Sequence, residues 1–114
     1  MTQEDKELLL QDLCCRLPYG VKGNYQNSDD ELLRSITIMY RYLEPNGMVM
    51  TGDVKPYLFP LSSMTEEQEY KYREVIANTL NHYEVYDWLN KNHFDYRGLI
   101  EKGLAIDATG LNIY

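Results

Sequence analysis

Ile36-Thr37-Ile38-Met39-Tyr40-Arg41-Tyr42-Leu43-Glu44-Pro45-Asn46-Gly47-Met48-Val49-Met50-Thr51 (residues 36–51) is where the chain stops reading as helix. Side chains alternate with a period of two: Ile36, Ile38, Tyr40 and Tyr42 share one face, Thr37, Met39, Arg41 and Leu43 the other. β-Branched and tyrosine side chains suit such a pleated, half-buried surface. Glu44-Pro45-Asn46-Gly47 is a turn signal, because proline presets the entering dihedral and Asn-Gly tolerates positive φ. The reading is a β-hairpin, 33–43 against 48–53. A two-stranded hairpin alone is marginal in water. It therefore calls for helices to cover it and a third strand, from residues 19–25 or from the tail near Leu111–Ile113.

Outward toward the N-terminus, residues 19–31 are rich in turn formers and read as a polar loop with a short strand around Val21. Before them, Thr2 with Glu4 and Asp5 is a helix start. Leu10, Leu13, Cys14 and Leu17 then recur at i, i+3, i+4 and i+7 as one apolar stripe, and Pro18 and Gly20 end the helix near Arg16. Adjacent side chains on a helix point about 100° apart, so Cys14 and Cys15 cannot readily bridge each other. They read as reduced thiols, one or both packed in the core.

Outward toward the C-terminus, Val54–Leu61 carries two prolines and reads as an apolar, extended connector. Thr65 and Gln68 form a capping box for a helix over Glu66–Asn81, with Tyr72, Val75, Ile76, Leu80 and Tyr83 as its stripe. Asn81-His82 is a break before a helical stretch at 84–91. Asp95 caps a last helix with Tyr96, Leu99 and Ile100 inside and Gly103 at its end, and Leu104–Ile106 is a short strand or a docked extension. The fold class is α+β: three to four helices packed on a small antiparallel sheet built around one β-hairpin. Residues 1–106 form a single compact domain and 107–114 a tail, with Ile113 and Tyr114 as its anchors.

Composition bounds the function. The 114 residues hold 44% hydrophobic and 25% charged side chains, an ordinary globular balance. Net charge is −7, and the eleven basic residues are scattered. Such a surface repels duplex nucleic acid at long range, so a nucleic-acid-binding regulator is the weakest reading. No stretch approaches the ~20 apolar residues of a membrane span, and Glu4, Asp5 and Glu7 stand where a secretory signal would be cationic. The reading is cytoplasmic, with no membrane.

The chemistry-bearing inventory is thin. His82, His93, Cys14 and Cys15 are the soft ligands and form no short metal-binding pair, so no metal is expected. Ser28-Asp29-Asp30-Glu31 lacks the spacing of a calcium loop and reads as a solvated cap or loop. The glycines form no phosphate cradle, and no Ser or Cys stands in a nucleophile motif. No catalytic residue, no cofactor and no enzyme follow. The dense stretch is Asp87–Ile100, with the only Trp and the alternating set His93, Asp95 and Arg97. In an extended segment these three point one way, a His oriented by a carboxylate beside an anion-holding Arg. If Asp95 caps a helix instead, its oxygens are taken by backbone N–H groups, His93 pairs with a carbonyl and Arg97 with a carboxylate.

Three segments carry a resemblance: Lys6–Lys22 (KELLLQDLCCRLPYGVK), Val54–Gln68 (VKPYLFPLSSMTEEQ) and Tyr86–Ala105 (YDWLNKNHFDYRGLIEKGLA). Together, about half of the chain, they resemble a set of small uncharacterised proteins of anaerobic gut bacteria and of their phages and mobile elements. The resemblance implies a bacterial or phage origin and no activity, cofactor or catalytic residue.

Function then rests on rings. Eleven Tyr against two Phe, with one Trp, exceed what a small core needs, and Tyr and Trp favour interfaces. The expectation is a non-enzymatic protein-interaction or accessory protein whose partner is another protein or a second copy of itself. Tyr86, Trp88, His93, Tyr96 and Arg97 are its contact residues. The alternative is a small ligand-binding domain or enzyme with His93, Asp95 and Arg97 lining a pocket.

Overall fold

The computed structural model describes residues 1–27 and 30–114. The element order is α1 (Gln3–Arg16), β1 (Lys22–Tyr25), β2 (Ile36–Thr37), β3 (Val54–Pro60), α2 (Glu66–Asn78), α3 (His82–Lys91), β4 (Phe94–Asp95) and β5 (Ile106–Asp107), with short 3-10 turns between. Three helices with a small mixed sheet make an α+β fold.

The central strand is β3, the segment that its two prolines mark as an extended connector. β1 pairs antiparallel with both β2 and the first half of β3, while β4 and β5 lie parallel to the second half. Residues 19–25 do supply a strand, β1, but it joins β2 to β3 and does not add to a 33–43/48–53 hairpin. Gly23 permits the close β1–β3 approach: a Cβ there would sit 2.8 Å from Val54 Cγ1 and 2.9 Å from the Lys55 carbonyl oxygen.

The 33–43/48–53 hairpin does not form, and the sheet is mixed rather than antiparallel. The turn itself is real, since Gly47 N–H donates to the Glu44 carbonyl at 2.8 Å. Beyond it only Val49 N–H reaches back, to the Tyr42 carbonyl at 3.1 Å, before the chain turns again at Gly52. Tyr40–Leu43 winds into a 3-10 turn. Burial decides the outcome: Ile38, Leu43, Val49 and Met50 go inside, while Tyr40, assigned to the face of Ile38, is 69% exposed. Gly47 is required by crowding and not by positive φ, because a Cβ there would lie 2.4 Å from the Tyr42 carbonyl oxygen.

α1 starts where the sequence places it, on a Thr2–Asp5 capping box, but it is rotated from the expected stripe. Leu9, Asp12, Leu13 and Arg16 face inward; Leu10, Cys14 and Cys15 are exposed and both thiols are free. The expectation of a cysteine in the core is corrected. A carboxylate and a guanidinium four residues apart neutralise each other, so the helix can bury the face that carries them. Leu9 and Leu13 join Val21, Val54, Leu58 and Leu99 in one core, each worth about 1.5–3 kcal/mol of burial.

α2 keeps its Thr65–Gln68 capping box and stops at Asn78, three residues short of expectation. The break at Asn81 is a cap, its side chain accepting from Glu84 N–H. No helix follows Asp95. Its carboxylate does cap, Oδ1 accepting from the N–H of Arg97 and Leu99 and Oδ2 from Ile100. Gly98, at φ 75°, turns the chain out of helical geometry immediately. Of the acidic cluster, Ser28 and Asp29 lie outside the described residues; Asp30 caps the turn at Glu31–Leu33.

Candidate functional site

The stretch Asp87–Ile100 leaves α3, crosses β4 and turns at Gly98, so it joins the helical side of the molecule to the sheet. Its rings form a continuous run. Tyr72 of α2 stacks on Trp88 at 5.6 Å between centroids, Trp88 on Phe94 at 5.8 Å, and Phe94 meets Phe59 at 6.1 Å. Phe59 touches Tyr114, which lies flat on His93 at 3.6 Å. Offset ring pairs of this kind add about 0.5–1.5 kcal/mol each beyond their burial. Trp88 is therefore chiefly a packing element, half-buried between two rings.

Beneath this run lies a buried charge cluster around Asp12. Arg16 reaches both Asp12 oxygens, at 2.8 and 3.1 Å, and gives a 2.6 Å hydrogen bond to the Phe94 carbonyl. Arg97 Nε adds a third bond to Asp12 at 3.1 Å. Both guanidiniums lie over the Tyr96 ring, at 5.3 and 5.0 Å from its centroid, and the Tyr96 hydroxyl donates to Asn90 Oδ1 at 2.9 Å. Burial opposes the Arg97 charge, but the Tyr96 hydroxyl and Asp12 outweigh it and raise its pKa. One carboxylate thus orients two cations, and Tyr96 becomes the wall between core and surface.

His93, Asp95 and Arg97 do not meet in one cleft. Arg97 pairs with a carboxylate and Asp95 caps a turn, as the structural reading of the sequence has it. His93 departs from that reading, for its buried Nδ1 has no hydrogen-bond partner among the described residues. Its backbone is left-handed at φ 62°, and its ring is held under Tyr114. Burial pushes its pKa down to about 4, with Arg16 and Lys22 adding repulsion, so the imidazole is neutral. The Tyr114 hydroxyl accepts from Lys22 N–H and donates to the Tyr57 carbonyl, both at 2.8 Å, and burial raises its pKa to about 12. Tyr114 is the anchor of the last segment; Ile113 is half-buried.

The outer side of α3 is different. An open groove of about 1130 Å³ runs along it, walled by Tyr72, Tyr83, Val85, Tyr86, Leu89 and Tyr96, with Leu61, Cys15, His82 and Arg97 also in its lining. Tyr86 packs on Tyr96 at 5.1 Å and is 48% exposed. Glu84 and Asp87 stand in the same groove; Asp87 accepts a short hydrogen bond from Tyr19, whose pKa it raises. A smaller groove of about 300 Å³ continues past Leu61 and Tyr72 onto Ile76 and Arg73 of α2. No residue of α2 is buried, and Tyr70, Ile76, Leu80 and Tyr83 are all exposed.

Of the five expected contact residues, Tyr86, Tyr96 and Arg97 line the groove; Trp88 stands behind its wall and His93 lies at the sheet. Asp12, Arg16 and Asn90 had no place in the sequence reading. A signal for the first two existed, since 9, 12, 13 and 16 form an i, i+3, i+4, i+7 face with opposite charges at i, i+4. Among the described residues no three His, Cys, Asp or Glu side chains group as metal ligands, and no helix is long and apolar enough to cross a membrane. Compared with protein-family models, curated proteins and solved structures, the chain matches none.

Proposed function

We propose that this chain is a non-enzymatic, cytoplasmic interaction or accessory protein of bacterial or phage origin, meeting another protein or a second copy of itself through the ring-bearing face of α2 and α3. The observation that carries the reading is the exposure of Tyr70 and Ile76 on α2, Leu80 between the helices and Tyr83 and Tyr86 on α3, with nothing of α2 buried. Folding alone does not reward rings and aliphatic side chains left in water, whereas an interface does. The charges beneath that face are committed: Asp12 to two guanidiniums, Asp95 to three backbone N–H groups. They hold the wall of the groove in place, and the ionisable side chains that line the groove itself, tyrosines apart, are His82, Glu84 and Asp87, with Cys15 and Arg97.

The test compares the unmodified chain with Tyr70→Ser/Tyr83→Ser/Tyr86→Ser. Crosslinking in bacterial cells followed by mass spectrometry is expected to recover one recurrent partner, or a dimer, with the unmodified chain and to lose it with the variant. Equal recovery by both chains at matched expression counts against the reading.

A further inference from the structure

We infer that the groove along α3 receives a basic, amphipathic helical segment of a partner protein. This rests on the proposed interaction role and names the chemistry of the occupant. Three observations carry it.

The first is charge. Glu84 and Asp87 are exposed, project into the groove and lie one helical turn apart on α3. The cation in its lining, Arg97, is already bound by Asp12, and His82 is the other basic side chain there. The groove therefore offers an incoming chain the Glu84 carboxylate and that of Asp87, which keeps its charge while one oxygen accepts from Tyr19, on a molecule of net charge −7. Lysine or arginine side chains are the complement, and long-range attraction speeds their approach.

The second is lining. Tyr72, Tyr83, Val85, Tyr86 and Tyr96 come from helices and from the turn after β4, and the groove runs along no free strand edge. An occupant cannot dock by adding a strand. It must present side chains to side chains, as an apolar helix face does at i, i+3, i+4 and i+7.

The third is size. An α-helix with side chains is about 10–12 Å across, and an open groove of about 1130 Å³ is broad enough to seat one face of it. The smaller groove beyond Leu61 and Tyr72 extends the track toward Ile76. The occupant is thus a short helix with an apolar stripe on the tyrosines and two cations over Glu84 and Asp87.

The experiment uses the full chain and two fluorescein-labelled model helical peptides of about fourteen residues, one alternating leucine with lysine in helical phase, the other with glutamate for lysine, and an extended proline–arginine peptide as a third probe. Anisotropy is expected to report binding of the leucine–lysine peptide, weakened at higher salt. Glu84→Gln/Asp87→Asn should lower its affinity about tenfold and Glu84→Lys/Asp87→Lys more, with far-UV circular dichroism unchanged. Equal binding of the leucine–glutamate peptide, or equal affinity of the charge-reversed variant, overturns the inference, as does tighter binding of an extended proline–arginine peptide. Sedimentation separates the two levels. A dimer that Tyr83→Ser abolishes, with no peptide bound, leaves the interaction role standing and removes this occupant. A monomer that binds neither peptide and captures no partner removes both.

Discussion

The two sides of this molecule treat polar and aromatic groups in opposite ways. On the side of α1 and β3, even charged groups are inside: Asp12 and Arg16 are fully buried, and three hydrogen bonds converge on one carboxylate. On the side of α2, even apolar groups are outside: Leu80 is fully exposed and Tyr83 nearly so. The contrast teaches that stability and exposure are divided between regions of one small domain. The first side sets the position of Tyr96 and Arg97; the second spends little of the folding free energy and presents rings to solvent.

The sharpest way to break that contrast is to compare Asp12→Ala with Ile76→Ala. Removing the carboxylate leaves two guanidiniums, one wholly buried, without their counter-charge, a loss of about 3–5 kcal/mol. Ile76 is half in water, and its truncation should stay within about 0.5 kcal/mol. Urea unfolding followed by the single Trp measures both. Similar midpoints for the two variants would erase the distinction between the regions.

A second effect is expected at the sheet end. His93 is neutral in the folded chain down to about pH 4, whereas its ordinary value is 6.5. A proton therefore binds the unfolded chain first. Stability from this group is complete above pH 6.5 and declines as pH falls toward 4, by about 2 kcal/mol after allowance for water that reaches the ring in part. The replacement for comparison is His93→Asn, because asparagine tolerates the left-handed backbone at φ 62°. Its unfolding free energy should fall less steeply across that interval than that of the unmodified chain. Parallel slopes would mean that His93 is not shielded.

Tyr114→Phe is expected to be milder. It keeps the ring on His93 and Phe59 but deprives Lys22 N–H and the Tyr57 carbonyl of a shared partner, a loss of about 1–2 kcal/mol in the same urea experiment. No change would place the anchoring in the ring rather than in the hydroxyl.

What was legible in the sequence follows the same division. Caps are local devices, and those at Thr2 and Thr65 stand where the residues put them, while the break at Asn81-His82 proves to be a cap as well. Period-two alternation is not local in the same sense. Residues 36–43 alternate, yet strand formation needs a partner, and the one that 36–37 and β3 both find is β1 rather than residues 48–53. The last helix failed on one residue, Gly98, whose left-handed backbone no periodicity announces. The inward face of α1 escapes an apolar-stripe reading because it carries Asp12 and Arg16, which satisfy each other across one turn. At the site, the density of rings in 86–97 is legible; which of them line a groove is not, since Tyr72 and Cys15 come to it from other helices.

The smallest expected stability effect is the most telling for function. Tyr83 is 85% exposed and has no ring partner within α2 or α3, so Tyr83→Ser should shift the urea midpoint by no more than about 0.5 kcal/mol equivalent. If the helical face is an interface, the same replacement should lower partner or peptide affinity about tenfold or more, since Tyr is among the residues that dominate binding energy. Stability and affinity then part company at one side chain. A change that costs stability and leaves affinity intact would assign Tyr83 to packing and return the face of α2 to the ordinary surface of a folded domain.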